Sequence, residues 1–295
     1  MNAWQPDSLQ RLRCRKRSGM RIITNTAALF RPEEGKQLGI SVLPVFVSLG
    51  GESLRDYIDI GTDDFVRRLL AGESAVSSQP AVGDVLELLE ENEEETIILT
   101  VADGLSGEYQ TDMGVVNTLP HKDRIHVINS GSLAGCLRYL AKKAAALRSQ
   151  GGRTAEILAE LQACVRSSRS YVIPSDLHYL QRSGRITNLT ARVGSALNLL
   201  PVLTQTEDRR RISLMSIRRT WKSAAAAIMK SLREAGVDEN YLISVCYADK
   251  KDLAEKIRVW IAEAFPKTDN EILQLSPSLV THGGPGCVVV QAIRK

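Results

Sequence analysis

The sequence lacks any run approaching the ~20 apolar residues that a membrane-spanning helix requires, so no span is expected. It is poor in metal-binding patterns as well. Its four histidines, His121, His126, His178 and His282, form no H-x-x-x-H pair and join no carboxylate cluster, so no metal site is expected. The five cysteines, Cys14, Cys136, Cys164, Cys246 and Cys287, are odd in number, scattered and without a C-x-x-C. Four of them sit inside apolar segments and read as small core residues, which fits a reducing cytoplasm. No internal repeat is present, and low complexity is confined to the alanine run 224–227.

Charge of one sign is also missing from the body of the chain. The formal net charge of +4 arises at the start: of 38 basic and 34 acidic residues, residues 1–19 hold Arg11, Arg13, Arg15, Lys16 and Arg17 against Asp7 alone. The remainder carries 33 of each sign. A nucleic-acid binder keeps its basic excess on the folded domain, so no nucleic-acid partner is expected. The surviving version of that reading is a regulator gripping nucleic acid through the tail, with steeply salt-dependent binding. The tail has no apolar h-region, which excludes a secretory signal, and Pro6 and its short length speak against a transit peptide. Met20 opens a strand-like run, so residues 1–19 are expected to be a dispensable extension.

What is there is an alternation of strand-like and helix-like segments. Arg21 to Thr26 and Ile40 to Leu49 are Ile- and Val-rich runs that read as buried strands. Phe65, Val66, Leu69 and Leu70 share one face of a helix over Thr62 to Ala71, with Thr62 as N-cap and Asp63 and Asp64 in its first turn. A helix follows Pro80, then a strand at Thr96 to Val101, a helix at Ser106 to Leu119, a strand at Arg124 to Ile128 and an Ala-rich helix at Leu133 to Arg148. This β-α-β-α order demands right-handed crossovers and hence a parallel sheet between helices. Gly151-Gly152 breaks the pattern, giving a first domain over 20–152 and a second over 153–295. In the second, Pro201 to Thr206 and Arg211 to Ile217 pair through the turn Glu207 to Arg210, and later segments run helix, strand, helix, strand, strand. The fold class is α/β, with two unlike domains: a three-layer parallel sheet first, a two-layer mixed sheet second.

Three small-residue, hydroxyl-rich turns carry the chemistry: Ser77-Ser78-Gln79-Pro80, Gly104 to Gln110, and Thr281-His282-Gly283-Gly284-Pro285-Gly286. Each has a local reading and a functional one. Ser77 and Ser78 either cap the helix after Pro80 or offer hydroxyls to a ligand. Ser106 either caps its own helix or joins free helix-start N–H groups in receiving a carboxylate or phosphate. G-x-S-x-G is absent, because Gly107 directly follows Ser106, so a hydrolase elbow is excluded. Three glycines and a proline around His282 imply a backbone that brings the imidazole to a defined place. Arg182 and Arg185 flank Gly184, where they either favour a helix C-terminus or fork onto an anion. An enzyme acting on a small carboxylate or phosphate with His282 as acid–base and Ser106 as donor or nucleophile is the alternative function, and it lacks an acid to orient the histidine.

In order along the chain, these segments resemble the DegV family. Ile23 to Ala27 is similar to its I-T-D-S-T, Ser77 to Ala81 to T-S-Q-P-S, Asp103 to Gln110 to S-G-L-S-G-T-Y-Q and Val127 to Ser130 to V-I-D-S. Asp176 to Ile186 is similar to D-L-E-Y-L-R-R-G-G-R-I, Leu200 to Leu203 to K-P-I-L, Ile217 to Lys222 to K-V-R-T-x-K and Thr281 to Gly286 to T-H-T-G-P-G. The resemblance implies two unlike α/β domains around a long-chain fatty acid, its acyl chain in an apolar tunnel and its carboxylate near the domain junction. It implies carboxylate binding by Ser77 (family Thr), Ser78, Ser106, Gly107 and His282, with Arg182 and Arg185 facing a partner or touching the anion. It implies no catalytic residue, metal or cofactor here. A separate fatty acid kinase subunit, with ATP and magnesium, would form the acyl phosphate from the acid this chain presents. A bacterial cytoplasmic setting with transient membrane-surface contact goes with it. The chain departs from the pattern at Asn25 for Asp, Asp103 for Ser, Glu108 for Thr and Gly283 for Thr. Two added carboxylates beside an anion site repel a ligand unless they face away or are compensated.

Overall fold

The computed structural model describes residues 19–90, 94–186 and 199–295. The extension expected over 1–19 lies, apart from Gly19, outside the described residues, as does Cys14. No helix among the described residues is long and apolar enough to cross a membrane.

The first half runs β1 (Met20–Asn25), α1 (Pro32–Gln37), β2 (Ile40–Leu43), β3 (Phe46–Leu49), β4 (Glu52–Arg55), α2 (Thr62–Leu70) and β5 (Ala75–Ser78). It continues through α3 (Val82–Glu90), β6 (Glu95–Thr100), α4 (Glu108–Thr118), β7 (Ile125–Asn129) and α5 (Ala134–Ser149). Strands β2-β1-β6-β7 form a sheet whose neighbours are all parallel, with Ile22 opposite Ile97 and Ile23 opposite Ile98. Period-two alternation sends Ile22, Ile97 and Leu99 to the α5 side, while Ile23 and Ile98 meet Val85, Leu89, Val115 and Val116 of α3 and α4. Two helical layers on one parallel sheet are the expected three-layer domain.

Two local readings differ from what forms. The run Ile40 to Leu49 is two strands, because Pro44 lacks an N–H and fixes φ. Beyond it the chain leaves the parallel sheet, and β3 becomes the centre of a small antiparallel sheet β4-β3-β5. Gly61, not Thr62, holds the N-cap position of α2. The Thr62 hydroxyl instead donates to the Leu275 carbonyl (2.8 Å), a contact 213 residues away that local patterning cannot anticipate.

The second half runs α6 (Thr154–Ser167), β8 (Arg169–Ile173), α7 (Leu177–Ser183), β9 (Leu200–Gln205), β10 (Ile212–Arg218), α8 (Trp221–Glu234) and β11 (Tyr241–Tyr247). It ends with α9 (Lys251–Ala264), β12 (Asp269–Gln274), α10 (Pro277–Gly283) and β13 (Val288–Arg294). The sheet order is β10-β9-β8-β13-β11-β12, mixed because only β11 and β12 run parallel. Helices α8 and α9 cover one face through Ala224, Ile228, Leu232, Ile257 and Ile261. The other face meets the first half: Ile293 joins the core around α5 and α6, and Cys246 and Val289 pack with Leu29, Val47 and Phe65. The four described cysteines are buried and unpaired, as small core residues are.

Helix α5 is common to both sheets. Ala134, Leu137, Leu140, Ala141 and Ala144 are fully buried, and Gly135 approaches β11 so closely that an added Cβ would lie 2.5 Å from the Ser244 Cβ. Beside this contact, the Gln291 amide donates to Ser132 Oγ (3.1 Å), Ser170 Oγ (2.9 Å) and the Leu133 carbonyl (3.0 Å), so these polar groups buried between the halves are satisfied by one another. Gly135→Ala is expected to destabilise the protein by about 1 to 3 kcal/mol, read as a lowered urea midpoint with an unchanged slope.

Candidate functional site

At the carboxyl ends of β1 and β6 the loops of both halves enclose a cavity of about 370 Å³, within the roughly 300 to 1,000 Å³ of small-molecule sites. Its walls are apolar, with Val45 and Leu133 from the first half and Val172, Leu279 and Val289 from the second. The residues lining it include Ser77, Ser78, Ser106, Gly107, His282 and Arg185, six of the seven expected at the site. The seventh, Arg182, is exposed and lies over the Tyr179 ring, 5.1 Å from its centroid. The two arginines thus separate: Arg185 borders the cavity, and its Nε donates to the Leu105 carbonyl at 3.2 Å.

Ser77 and Ser78 close β5 rather than opening a helix, and alternation leaves Ser77 half-buried and Ser78 exposed. His282 stands not in a loop but in the last turn of α10. The residues after it still need glycine. Gly284 has φ +75, and a Cβ there would lie 2.5 Å from the Tyr179 ring. This geometry sets His282 Nε2 2.8 Å from Ser77 Oγ, a contact between residues 205 apart. Burial, and then the charge of Arg185, pull the imidazole down to about 4, so it is neutral near pH 7. With its proton on Nε2, His282 donates to Ser77 and frees the serine O–H for a third party.

Ser106 combines its two readings. Its Oγ accepts the Glu108 N–H (3.2 Å) at the start of α4, and its own proton remains free to donate into the cavity. For a nucleophile the arrangement is poor, since His282 contacts Ser77 and, among the described residues, no carboxylate hydrogen-bonds the imidazole.

Both added carboxylates are compensated. Asp103 pairs with Arg210 of the turn between β9 and β10, and Gln110 Nε2 donates to it at 3.2 Å. Gly104 admits this turn, since a Cβ there would lie 2.7 Å from the Arg210 Cβ. Glu108 is 4% exposed, with Oε1 accepting from Asn25 Nδ2 (2.5 Å) and Oε2 from the Val101 N–H (3.0 Å). Burial first, and then Asp112, push its acid up to about 8, against the pull of those two bonds. Asp112 is itself pushed up to about 7 by burial. Two departures noted separately in the sequence, at 25 and 108, are therefore one contact.

Sequence reasoning missed three elements. Arg210 was only part of a charged turn, and Gln79, whose amide donates to Thr111 Oγ1 (2.8 Å), was only one residue of a motif. Asp56 carried no signal. It is fully buried and accepts from Thr26 (2.9 Å) and Ser278 (2.7 Å), joining the halves beneath the cavity. Burial pushes its acid up to about 6, against those bonds. Among the described residues no group of three or more His, Cys, Asp or Glu is gathered to hold a metal.

The model of the DegV family, described as an uncharacterised protein family, matches residues 19–295. The chain is 26% identical over 278 residues to a DegV domain-containing protein of Staphylococcus aureus, covering 93% of this chain and 98% of that one. Among solved structures it is similar to a DegV family protein of Thermus thermophilus reported for fatty acid binding, with a TM-score of 0.83 and 24% identity, covering 94% of this chain and 100% of the other. It is similar over the same shares to DegV of Bacillus subtilis, a fatty acid binding protein, with a TM-score of 0.81 and 25% identity.

The neutral histidine has a direct readout. In the ligand-free protein the His282 imidazole is expected to titrate near 4, well below an ordinary histidine, when followed by nitrogen-detected NMR. Titration in the usual histidine range would contradict the buried geometry.

Proposed function

The chain belongs to the DegV family, and from that premise we propose that it holds a long-chain fatty acid, carboxylate at the Ser77–Ser106–His282 end of the cavity and acyl chain along its apolar wall. The observation that carries this reading is the 2.8 Å contact between Ser77 and His282 in an apolar cavity that Ser106 also lines, hydroxyl and imidazole groups brought to one space from distant segments. A neutral His282 relays its proton through Ser77, and the Ser106 O–H donates directly. The first-turn N–H groups of α4 favour the negative charge. The apolar wall supplies most of the affinity, at about 0.8 kcal/mol per buried methylene.

The second part of the reading is presentation. The acid would be phosphorylated by a separate kinase subunit that brings ATP and magnesium, while this chain positions the carboxylate and excludes water from the acyl chain. Its support is the family resemblance together with two separate cations, the exposed Arg182 over Tyr179 and the cavity-bordering Arg185, each suited to an anionic partner group. The stand-alone enzyme reading is not favoured, because among the described residues His282 has no carboxylate partner, and Ser106 accepts a backbone N–H.

Native mass spectrometry of the purified protein is expected to show an added mass matching a long-chain acid. Ser106→Ala and His282→Ala are each expected to weaken binding about tenfold or more in displacement of a fluorescent fatty acid. A protein that carries no lipid and binds no added long-chain acid would remove the carrier reading.

A further inference from the structure

Among the described residues, Glu108 is the one carboxyl group that borders the cavity. It opens α4, and its backbone N–H is already engaged by Ser106, so its side chain leaves the chain beside the expected headgroup position. Asn25 and Val101, which hold its two oxygens, border the same cavity. Both supply donors. Asn25 Oδ1 already accepts the Ala27 N–H at 2.7 Å, so it turns Nδ2, not its acceptor, toward Glu108. When Glu108 carries a proton, that proton is therefore not taken up by the groups that position the carboxyl, and the cavity beside it is open.

We propose that Glu108 is a ligand-contacting residue that, as the neutral acid, donates a hydrogen bond to the bound carboxylate, so that binding requires the proton on Glu108 and draws one in wherever the free protein has lost it. This rests on the fatty-acid reading of the cavity and specifies how the headgroup is recognised. Two carboxyl groups in one dry site cannot both be ionised without strong repulsion, and one shared proton turns the repulsion into a short, charge-assisted hydrogen bond. The pairing with Asn25 is part of the device. An aspartate at position 25 would set a second carboxylate against Glu108, whereas the amide supplies an N–H and no charge. A headgroup with two negative charges, such as a phosphate monoester, could not be satisfied by the single proton.

The charged and titratable groups around Glu108 leave it as the group that couples binding to pH. His282, across the cavity on α10, is neutral above about pH 6 because its acid form is pulled down to about 4. Arg185 lines the cavity, and Asp103 is paired with Arg210. Cys287, also bordering the cavity, is pushed up to about 12 by burial. Asp112, one turn along α4, does not border the cavity and acts through Glu108. Burial holds the Glu108 acid near 8 in the free protein, and an adjacent anion raises it further. Proton uptake is then small near pH 7, approaches one per ligand above about pH 8.5, and affinity falls as pH rises through the free-protein value.

The test measures binding of a long-chain acid by the full chain from about pH 6.5 to about pH 9.5, below the aggregation limit of the ligand. Wild type is expected to lose about tenfold in affinity per pH unit above about pH 8. Glu108→Gln keeps the shape and a donor but cannot titrate, and its affinity is expected to stay flat, while Asp112→Asn keeps the wild-type slope. Calorimetry in buffers of different ionisation enthalpy reads the same event without a variant, with uptake approaching one proton per ligand at about pH 8.5 or above. If wild type binds the acid with no proton uptake there, or Glu108→Gln keeps the wild-type slope, the inference is overturned while the carrier reading stands. If wild type binds no long-chain acid at any pH, the carrier reading itself fails.

Discussion

The close approach of two sheets to one helix sets everything else in this protein. Helix α5 is buried on both sides, and its Ala and Gly positions determine how near β11 and β13 come to the parallel sheet. Larger residues there would hold the halves apart, and the cavity at the ends of the strands would open to water. The Gln291–Ser132–Ser170 network works at the same junction, fixing register by satisfying polar groups that have no solvent to turn to.

The loops above that junction meet with their charges already settled. His282 is neutral through burial, Glu108 is an acid through burial and a neighbouring carboxyl, and Asp103 is paired. Each group taken singly looks unsuited to an anion site: a histidine that is not a cation, and two carboxylates that should repel. Taken together they make a site with hydroxyl and acid donors and, among the described residues that line it, one arginine, Arg185, an arrangement that on the proposed fatty-acid reading suits one negative charge better than two.

Much of the architecture was legible in the chain itself. The parallel sheet followed from alternating strand and helix segments, and the β9–β10 hairpin from the alternation of Arg211 to Ile217 after a charged turn. Where the reading slipped, a long-range contact had overruled a local signal. Thr62 has the chemistry of an N-cap and is used instead on the Leu275 carbonyl. Ile40 to Leu49 has one composition but serves two sheets, because Pro44 turns the chain out of the first. His282 was found by the glycines around it, yet the helix that carries it was not, since α10 is short and its first residues resemble a loop.

The sequence by itself determined the layered α/β plan, the neutrality of the body, the family, and the short list of hydroxyl, imidazole and guanidinium groups from which a site could be made. Those properties are local, set by side-chain periodicity, by turn chemistry and by the order of motifs. Only the tertiary structure decided that His282 meets Ser77 rather than Ser106, that Arg185 and Arg182 part company, and that Asn25 and Glu108 are one pair. Partners 83 to 205 residues apart leave no trace in local pattern, and a group's charge depends on how much water its neighbours remove.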